Sequence, residues 1–240
     1  MLPCVVLAGG LGTRMRPATD ALPKSLIPVL GRPFAELQLE WLAREGVERV
    51  IYSIGFGGRQ IRDAIGDGDR LGVHVDYVDE GEDLRGTGGA LRLALDAGVL
   101  PPRFFVLNGD SYLTVSFADV ESAWRRSGLP AIMVVMHNAN RWDTSNAILR
   151  DGRVFYDKRA TGAARAALEW IDYGLSATSS NVIADWLEPA QHADLADLFH
   201  RLSIDGKLAG YEVSERFYEV GSPSGLRELE DSLREVSIDT

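Results

Sequence analysis

The start of the chain carries the feature that most restricts the fold. An apolar run at residues 5–8, V-V-L-A, leads directly into a loop at residues 9–12 with three glycines in four positions. This pattern predicts a buried strand that ends in a tight loop with few side chains. The backbone N–H groups of such a loop can wrap a polyphosphate. Arg14 and Lys24 follow it and provide positive charge for phosphate oxygens.

Two familiar phosphate-binding motifs do not fit this stretch. A dinucleotide fingerprint begun at Gly10 needs glycine at position 15, where the chain has Met15. A P-loop needs glycine before its lysine, but Pro23 precedes Lys24. The alternative reading of the isolated glycine-rich loop is an ordinary strand-to-helix turn with solvated basic side chains.

Composition narrows the class of protein further. The chain has 240 residues and 45% hydrophobic content, which suits one α/β domain with a proper core. Its net charge of −10 argues against nucleic-acid and anionic-membrane partners. Cys4 is the only cysteine, so neither an intramolecular disulfide nor a cysteine-based zinc site is expected. The chain has no basic leader followed by a long apolar run, so we expect a cytoplasmic protein.

Strands and helices alternate over the first 135 residues, which predicts a mainly parallel sheet with its ligand groove at the carboxyl edge. Residues 104–107 form a near-continuous apolar strand that ends in Asn108, Gly109 and Asp110. Asp110 is thereby directed to the edge where α/β folds bind ligands, and a carboxylate suits Mg²⁺. The alternative is an aspartate that only caps a turn.

The pattern of the second half of the chain predicts a lobe smaller than the part formed by the first 135 residues. Residues 147–156 indicate a hairpin that turns at Asp151-Gly152 and delivers Asp157 and Lys158. Taken without any family resemblance, Lys158 is a solvated hairpin lysine. Asp172 lies in a predicted strand at 170–176 and is either a hydroxyl acceptor or its exposed position. We expect a helix over 179–202, paired strands at 211–213 and 217–220 joined by a turn, and a final helix.

Four segments taken together carry a family resemblance: L-A-G-G-x-G-T-R-x-x-P at 7–17, P-K-x-L-x-P-V at 23–29, G-T-G-G at 86–89 and N-G-D-S-Y at 108–112. They resemble the sugar-1-phosphate nucleotidyltransferases. The resemblance implies a GT-A-like α/β fold, Rossmann-like, with a mainly parallel mixed sheet flanked by helices. It implies one domain, with a nucleotide-binding part at 1–135, a sugar-phosphate lobe at 136–222 and a C-terminal helix at 223–240. We expect no β-helix domain of the kind that some members carry.

The resemblance also assigns roles to residues. It makes Arg14, Lys24 and Asp110 catalytic. It gives Mg²⁺ two ligands, Asp110 and Glu219, although the family usually has aspartate at the second position. The expected nucleotide-binding residues are Leu7, Ala8, Gly9, Gly10, Gly12, Thr13, Gly86, Thr87, Gly88, Asn108 and Gly109. The expected sugar-phosphate-binding residues are Asn146, Asp157, Lys158, Asp172 and Gly174.

The expected reaction joins a nucleoside triphosphate to a sugar 1-phosphate and releases pyrophosphate. The segments look most like heptose and mannose 1-phosphate guanylyltransferases, and uridylyltransferases acting on N-acetylmuramate or glucose 1-phosphate are the alternative. Asp157-Lys158-Arg159 replaces the family's E-K-P, and Glu219 replaces aspartate. These departures keep a non-catalytic relative that senses nucleotide sugars in view. A glycosyltransferase is disfavoured because no D-x-D follows a central apolar strand.

Overall fold

The computed structural model describes residues 1–10, 12, 15, 19, 22–81 and 83–238, with side chains to residue 235. Thr13 and Arg14, both given roles above, lie outside the described residues. The helices are α1 (Phe34–Arg44), α2 (Gly58–Ile65), α3 (Gly86–Asp96), α4 (Phe117–Ser127), α5 (Gly162–Ala166), α6 (Ser180–Trp186), α7 (Leu195–Ile204) and α8 (Pro223–Ile238). The strands are β1 (Cys4–Leu7), β2 (Pro28–Val29), β3 (Arg32–Pro33), β4 (Arg49–Ile54), β5 (His74–Asp79), β6 (Arg103–Asn108), β7 (Ser111–Tyr112), β8 (Ala131–His137), β9 (Ala147–Arg150), β10 (Arg153–Tyr156), β11 (Trp170–Ser179), β12 (Leu208–Val213) and β13 (Tyr218–Glu219).

Nine of these strands form one mixed sheet in the order β5-β4-β1-β6-β11-β8-β12-β10-β9. The first four run parallel to one another. Strand β11 then lies antiparallel to both β6 and β8, and β12 runs parallel to β8. The β9–β10 hairpin forms the far edge and turns at Asp151-Gly152, both with positive φ, as predicted. The predicted mixed α/β architecture is confirmed.

The sheet separates two hydrophobic cores, because successive side chains of a strand point to opposite faces. Cys4 and Val6 of β1 belong to the core that α1, α2 and α4 cover. Val5, between them, belongs to the core beneath α3, α6 and α7. Helices therefore pack on both faces of the sheet, which leaves the strand ends open for a ligand site.

The prediction of a single helix over 179–202 is wrong. Two helices, α6 and α7, are separated by a non-helical link at 187–194 that turns at Pro189-Ala190. Pro189 interrupts the helical pattern because proline lacks a backbone N–H and disfavours helical geometry at the residue before it. Asp194 then caps the new helix, accepting a hydrogen bond of 3.0 Å from Ala196 N.

The expected pair of strands at 211–213 and 217–220 is also wrong. Strand β12 lies in the main sheet between β8 and β10, whereas β13 pairs with β7 in a separate two-stranded sheet. Both segments have strand character, but each finds its partner far away in the sequence. The arrangement brings β13 beside the loop that follows β6.

Helix α8 packs on a third, smaller cluster. Leu229 from this helix joins Val29, Phe34 and Val220, all of which are fully buried. The cluster ties the C-terminal helix to β2 and to the start of α1. In the described part of the chain, no helix combines the length and apolar character needed to cross a membrane.

Candidate active site

The central cavity, defined as the space between the ends of β1 and β6, has a volume of about 350 Å³. Both strands end here because they run parallel in neighbouring positions, with Leu7 paired to Asn108. Most of the described residues with an assigned nucleotide or catalytic role lie in its wall. Its lining consists of Leu7, Ala8, Gly10, Gly12, Lys24, Ser25, Thr87, Asn108, Gly109, Asp110 and Lys158.

Lys24 and Asp110 form an ion pair inside the central cavity. Lys24 begins a short 3-10 turn after Pro23, and Asp110 follows β6 by two residues. Their side chains are only 16% and 21% exposed, so the pair is screened less than a surface pair. The site thus places one ammonium group against the carboxylate on which the predicted chemistry depends.

Gln38 fixes the loop that carries Asp110, a role that the sequence did not indicate. It lies on α1 and is fully buried. Its Nε2 donates hydrogen bonds to the carbonyl oxygens of Asn108, at 3.3 Å, and of Ser111, at 2.9 Å. These two carbonyls flank Asp110. One amide therefore determines where the backbone of this loop lies.

Glu219 lies beside Asp110 through backbone pairing rather than through sequence proximity. In the small sheet Glu219 pairs with Ser111, and Val220 N donates to Asp110 O at 2.9 Å. Glu219 in β13 consequently lies beside the residue that precedes β7, which is Asp110. Among the described residues no group of three or more His, Cys, Asp or Glu is arranged to hold a metal ion. A cation at Asp110 and Glu219 would take two protein carboxylates and complete its shell from phosphate and water. Mg²⁺ binds in this way, and the Lys24 ammonium on Asp110 indicates that the position accepts a cation.

The lobe cavity is a space of about 90 Å³ beside the central cavity. Its wall includes Asp172 and Gly174, both predicted to bind the sugar phosphate. Lys158, Thr87, Leu7 and Asn108 line both cavities. The remaining walls come from β6, β10, β11 and α7, namely Val106, Tyr156, Ser176, Asp194, Leu195, Ala196 and Phe199. Asp194 and Tyr156 were not among the predicted site residues.

A bulge in β11 sets the position of Asp172. The pairing of β11 with β8 shifts register between Asp172 and Ser176, and Gly174 has φ of +92°. A Cβ at residue 174 would come within 2.8 Å of Ser111 Oγ, so glycine meets both the conformational and the spatial demand. Gly174 N donates to Asp172 Oδ1 at 2.9 Å. Bulges commonly redirect side chains near active sites, and this one holds the carboxylate at the cavity wall.

The two carboxyl groups of the lobe cavity are shifted in opposite directions. Burial raises the pKa of Asp172, and the Gly174 N–H and the Lys158 charge offset only part of that effect. Burial favours a higher pKa for Asp194 as well. Hydrogen bonds from Ala196 N and the Thr87 hydroxyl outweigh this effect and hold its pKa below the usual value. The cavity therefore offers one hydroxyl acceptor that is firmly ionised and one whose charge is costly.

The glycine-rich start of α3 packs tightly against the 187–194 link. Gly88 N donates to Ala193 O at 2.9 Å, and a Cβ at residue 86 would lie 2.6 Å from the same oxygen. Thr87 donates to Asp194 Oδ1, also at 2.9 Å. These glycines thus serve close packing. Gly86 and Thr87 also face cavities, whereas the buried Gly88 does not appear in a cavity wall.

Two further predicted residues lie behind the cavity walls. The Asn146 side-chain oxygen accepts a hydrogen bond of 2.8 Å from Asp172 N, so it supports the bulge. Asp157 accepts one of 2.9 Å from Arg159 N and stabilises the turn that presents Lys158. Both residues therefore contact the cavity indirectly, through the backbone they hold.

A third space, the apolar cavity, opens from the glycine loop on the side away from the lobe. It has a volume of about 180 Å³ and shares Leu7, Gly10 and Thr87 with the central cavity. The rest of its wall consists of Gly9, Ser53, Glu80, Leu84, Gly86 and Ala90. Glu80 is the one ionisable side chain among these described residues. Strand β5 ends one residue earlier, and its position could have suggested a site residue.

The site combines a glycine-rich backbone, two lysines and a carboxylate at the carboxyl edge of an α/β sheet. This combination is typical of proteins that bind the phosphates of nucleotides. Residues 4–144 match the family model described as Nucleotidyl transferase. The chain belongs to this family, which confirms the resemblance seen in the four sequence segments.

Individual relatives agree with this membership. The chain is 32% identical over 238 residues to mannose-1-phosphate guanylyltransferase of Mycobacterium tuberculosis, covering 91% of this chain and 61% of the relative. It is 27% identical over 229 residues to UTP–glucose-1-phosphate uridylyltransferase of Synechocystis sp., covering 90% and 58%. The chain thus spans about three fifths of the length of each of these relatives.

A solved structure of HddC from Yersinia pseudotuberculosis complexed with GMP-PN has the same fold. It superimposes with a TM-score of 0.76 at 24% identity, covering 97% of this chain and 100% of that chain. At this level of identity the likeness concerns the fold alone. The predicted fold class is confirmed by it.

Proposed function

We propose that the chain transfers a nucleoside monophosphate from a nucleoside triphosphate to a sugar 1-phosphate, giving a nucleoside-diphosphate sugar and pyrophosphate. The observation that carries the proposal is one 350 Å³ cavity in which Lys24, Lys158 and Asp110 meet the glycine loop. Two lysines from separate segments in the wall of one cavity suit a reaction between two polyanions. Family membership supports the same reaction class.

The attacking phosphate oxygen is already an anion, so the reaction needs no general base. Alignment of the two substrates and neutralisation of the developing charge are then the main tasks. In this proposal the glycine loop cradles the triphosphate, Lys24 contacts the α-phosphate and Lys158 holds the sugar phosphate. Arg14 serves the departing pyrophosphate. Sugar hydroxyls donate to Asp172 and Asp194 in the lobe cavity.

Asp110 and Glu219 would hold Mg²⁺, which, when bound, neutralises phosphate charge and polarises the phosphorus centre. The role of Lys24 follows from its present contact. Its ammonium group pairs with Asp110, and a phosphate near the same carboxylate offers it a second anionic partner. Lys24 therefore needs only to reorient its side chain to engage the substrate. We also propose a cytoplasmic location, where nucleoside triphosphates are abundant.

The test is pyrophosphate release with Mg²⁺ across a grid of nucleotides and sugars. GTP, UTP, dTTP, CTP and ATP are each combined with mannose, glucose, N-acetylmuramate and heptose 1-phosphates. We expect one strongly preferred pair. A grid without turnover, in a protein whose melting temperature still rises with a nucleotide sugar, would replace the proposal with the non-catalytic sensing function.

Asp110→Ala should lower turnover with the preferred pair by several orders of magnitude, since it removes a group placed at the reacting phosphates. Asp119→Ala is the matched control, because Asp119 is an exposed carboxylate on α4. Circular dichroism verifies that both variants are folded. A folded Asp110→Ala protein with wild-type turnover would refute the assigned site.

A further inference from the structure

Glu219 occupies the second carboxylate position of the proposed cation site, on a strand that cannot hold it alone. Strand β13 has two residues and pairs with β7, which also has two. Two short strands without a larger sheet are marginally stable in water. Glutamate also has one more rotatable bond than the aspartate that the family usually has here, so its carboxylate depends more on the elements that surround it. Other elements must therefore hold β13 in place.

Helix α8 approaches β13 at Glu219 itself, and a glycine allows this approach. A Cβ at residue 225, in the first turn of α8, would lie 2.5 Å from the carbonyl oxygen of Glu219 and 3.4 Å from its Cγ. Gly225 lies in the helix and is buried. A helical conformation does not require glycine, and glycine is less favourable there than alanine. The close approach to Glu219 therefore explains why residue 225 has no side chain.

A second contact between this segment and α8 involves Arg216, which lies two residues before β13. Its guanidinium forms an ion pair with Glu228, about one helical turn after Gly225. The same guanidinium lies 5.6 Å from the ring centroid of Tyr218, the residue before Glu219. Arg216 is 28% exposed and Glu228 is 42% exposed, so the ion pair alone would contribute little to stability. Its value lies in where it holds the chain.

Trp142 gives Arg216 a third partner. The guanidinium carbon of Arg216 lies 3.9 Å from the centroid of the Trp142 ring, and tryptophan is the aromatic side chain that attracts a cation most strongly. Trp142 is 43% exposed, yet the loop at 138–146 that carries it is held in place. Buried Asn138 accepts a hydrogen bond of 3.1 Å from Trp142 N and donates one of 2.7 Å to Asp143 O. Arg216 therefore connects a well-anchored loop to α8 and to β13.

We propose that Arg216 and Gly225 are positioning residues for the cation site: they hold β13 against α8 and thereby fix Glu219 beside Asp110. The inference rests on the proposed function, in which the two carboxylates hold Mg²⁺. Neither positioning residue needs to touch the cation or a substrate, because each acts through the backbone that carries Glu219. Groups that orient metal ligands in this way typically change metal affinity by about 10- to 100-fold when they are lost.

The charge of Arg216 makes the test decisive. A guanidinium repels a cation, so if Arg216 acted on the site only through its charge, its removal would strengthen cation binding. If Arg216 positions Glu219, its removal weakens cation binding instead. The two explanations therefore predict changes of opposite sign in one measured dissociation constant.

The experiment titrates the full chain with Mn²⁺ alone, a cation that prefers oxygen ligands, and measures the free ion by electron paramagnetic resonance. Arg216→Ala should raise the Kd for Mn²⁺ by about 10-fold or more. Gly225→Ala should do the same, because its methyl group forces β13 away from α8. Trp142→Phe keeps an aromatic face and should stay closer to the wild type than Trp142→Ala. Arg227→Ala removes the same charge from an exposed position of α8 and should not weaken binding.

Asp110→Ala, measured in the same way, separates this inference from the proposed function. Mn²⁺ binding that is weakened by Asp110→Ala, Arg216→Ala and Gly225→Ala supports the inference, provided that circular dichroism shows each variant to be folded. If Arg216→Ala cannot be purified in folded form, Gly225→Ala provides the comparison. Unchanged or tighter binding in either positioning variant overturns the role of that residue and leaves the proposed function standing. Mn²⁺ binding that does not depend on Asp110 would refute the cation site and this inference with it, while the pyrophosphate grid still decides on the transfer reaction.

Discussion

Asp172 shows how a residue with a proposed binding role can weaken the fold that holds it. Its pKa is raised by burial, so the folded chain retains the proton at pH values where the unfolded chain has lost it. In that window the folded state binds more protons, and stability falls as pH rises. Above the raised pKa the whole cost of the buried charge is present. A residue that lines a cavity at such a cost is expected to contribute to ligand binding.

Asp172→Asn should therefore stabilise the protein at pH 8. Asparagine keeps an oxygen that can accept from Gly174 N, the bond that Asp172 now makes, and it has no charge to desolvate. Urea unfolding should give the variant the higher free energy of unfolding at pH 8. The difference should shrink at pH 4. The exposed Asp185→Asn controls for loss of one negative charge, and an Asp172→Asn difference that is equal at both pH values would contradict the explanation.

At the scale of elements, α1 positions the loop between β6 and β7. Gln38 is the contact, since its Nε2 donates to carbonyls on both sides of Asp110. Loops at strand ends carry ligand groups, but their precision depends on the rigid elements behind them. Here a helix on one face of the sheet fixes a carboxylate at its edge.

Gln38→Glu tests this contact with a side chain of the same shape. A glutamic acid side chain has one donor when burial keeps it protonated and none when it is ionised, so at least one of the two carbonyls loses its partner. We expect a loss of about 1–3 kcal/mol in the free energy of unfolding, the usual cost of unsatisfied buried polar groups. Pyrophosphate release should fall even where the variant is fully folded. Gln191→Glu makes the same substitution at an exposed position, and an equal effect there would remove the special role of Gln38.

Across the whole molecule, the C-terminal helix stabilises one side of the site. Leu229 of α8 packs with Val29, Phe34 and Val220, and Val220 N holds the backbone of Asp110. Segments near residue 30 and near residue 225 thus pack together in one small cluster. Stability and site geometry are connected through it.

Leu229→Ala should lower the free energy of unfolding by about 2–5 kcal/mol, since it leaves a cavity in a fully packed cluster. Leu233→Ala removes the same atoms from a side chain that is only partly buried in the cluster, and it should cost less. Chemical unfolding of both variants measures the difference. Equal losses would mean that the cluster does not behave as a separate packed unit.

The sequence predicted those parts of the fold that depend on short-range patterns. The strand and glycine loop at residues 5–12, the strand before Asp110 and the Asp151-Gly152 hairpin each follow from a few adjacent residues. The partners of β12 and β13 did not, because both pair with strands distant in sequence. The sequence also did not predict that Gln38, Glu80 and Asp194 lie at the site, for the same reason. Each gains its position from contacts that only the folded chain brings together.

The three cavities have a consequence for redesign. The described walls of the apolar cavity and the lobe cavity share only Leu7 and Thr87. One wall is built from segments before residue 91, and most of the other from segments after residue 155. Exchange of either set between relatives should therefore alter one substrate without rebuilding the site of the other. In a fold divided in this way, natural or engineered substitutions can change the nucleotide and the sugar phosphate largely independently of each other.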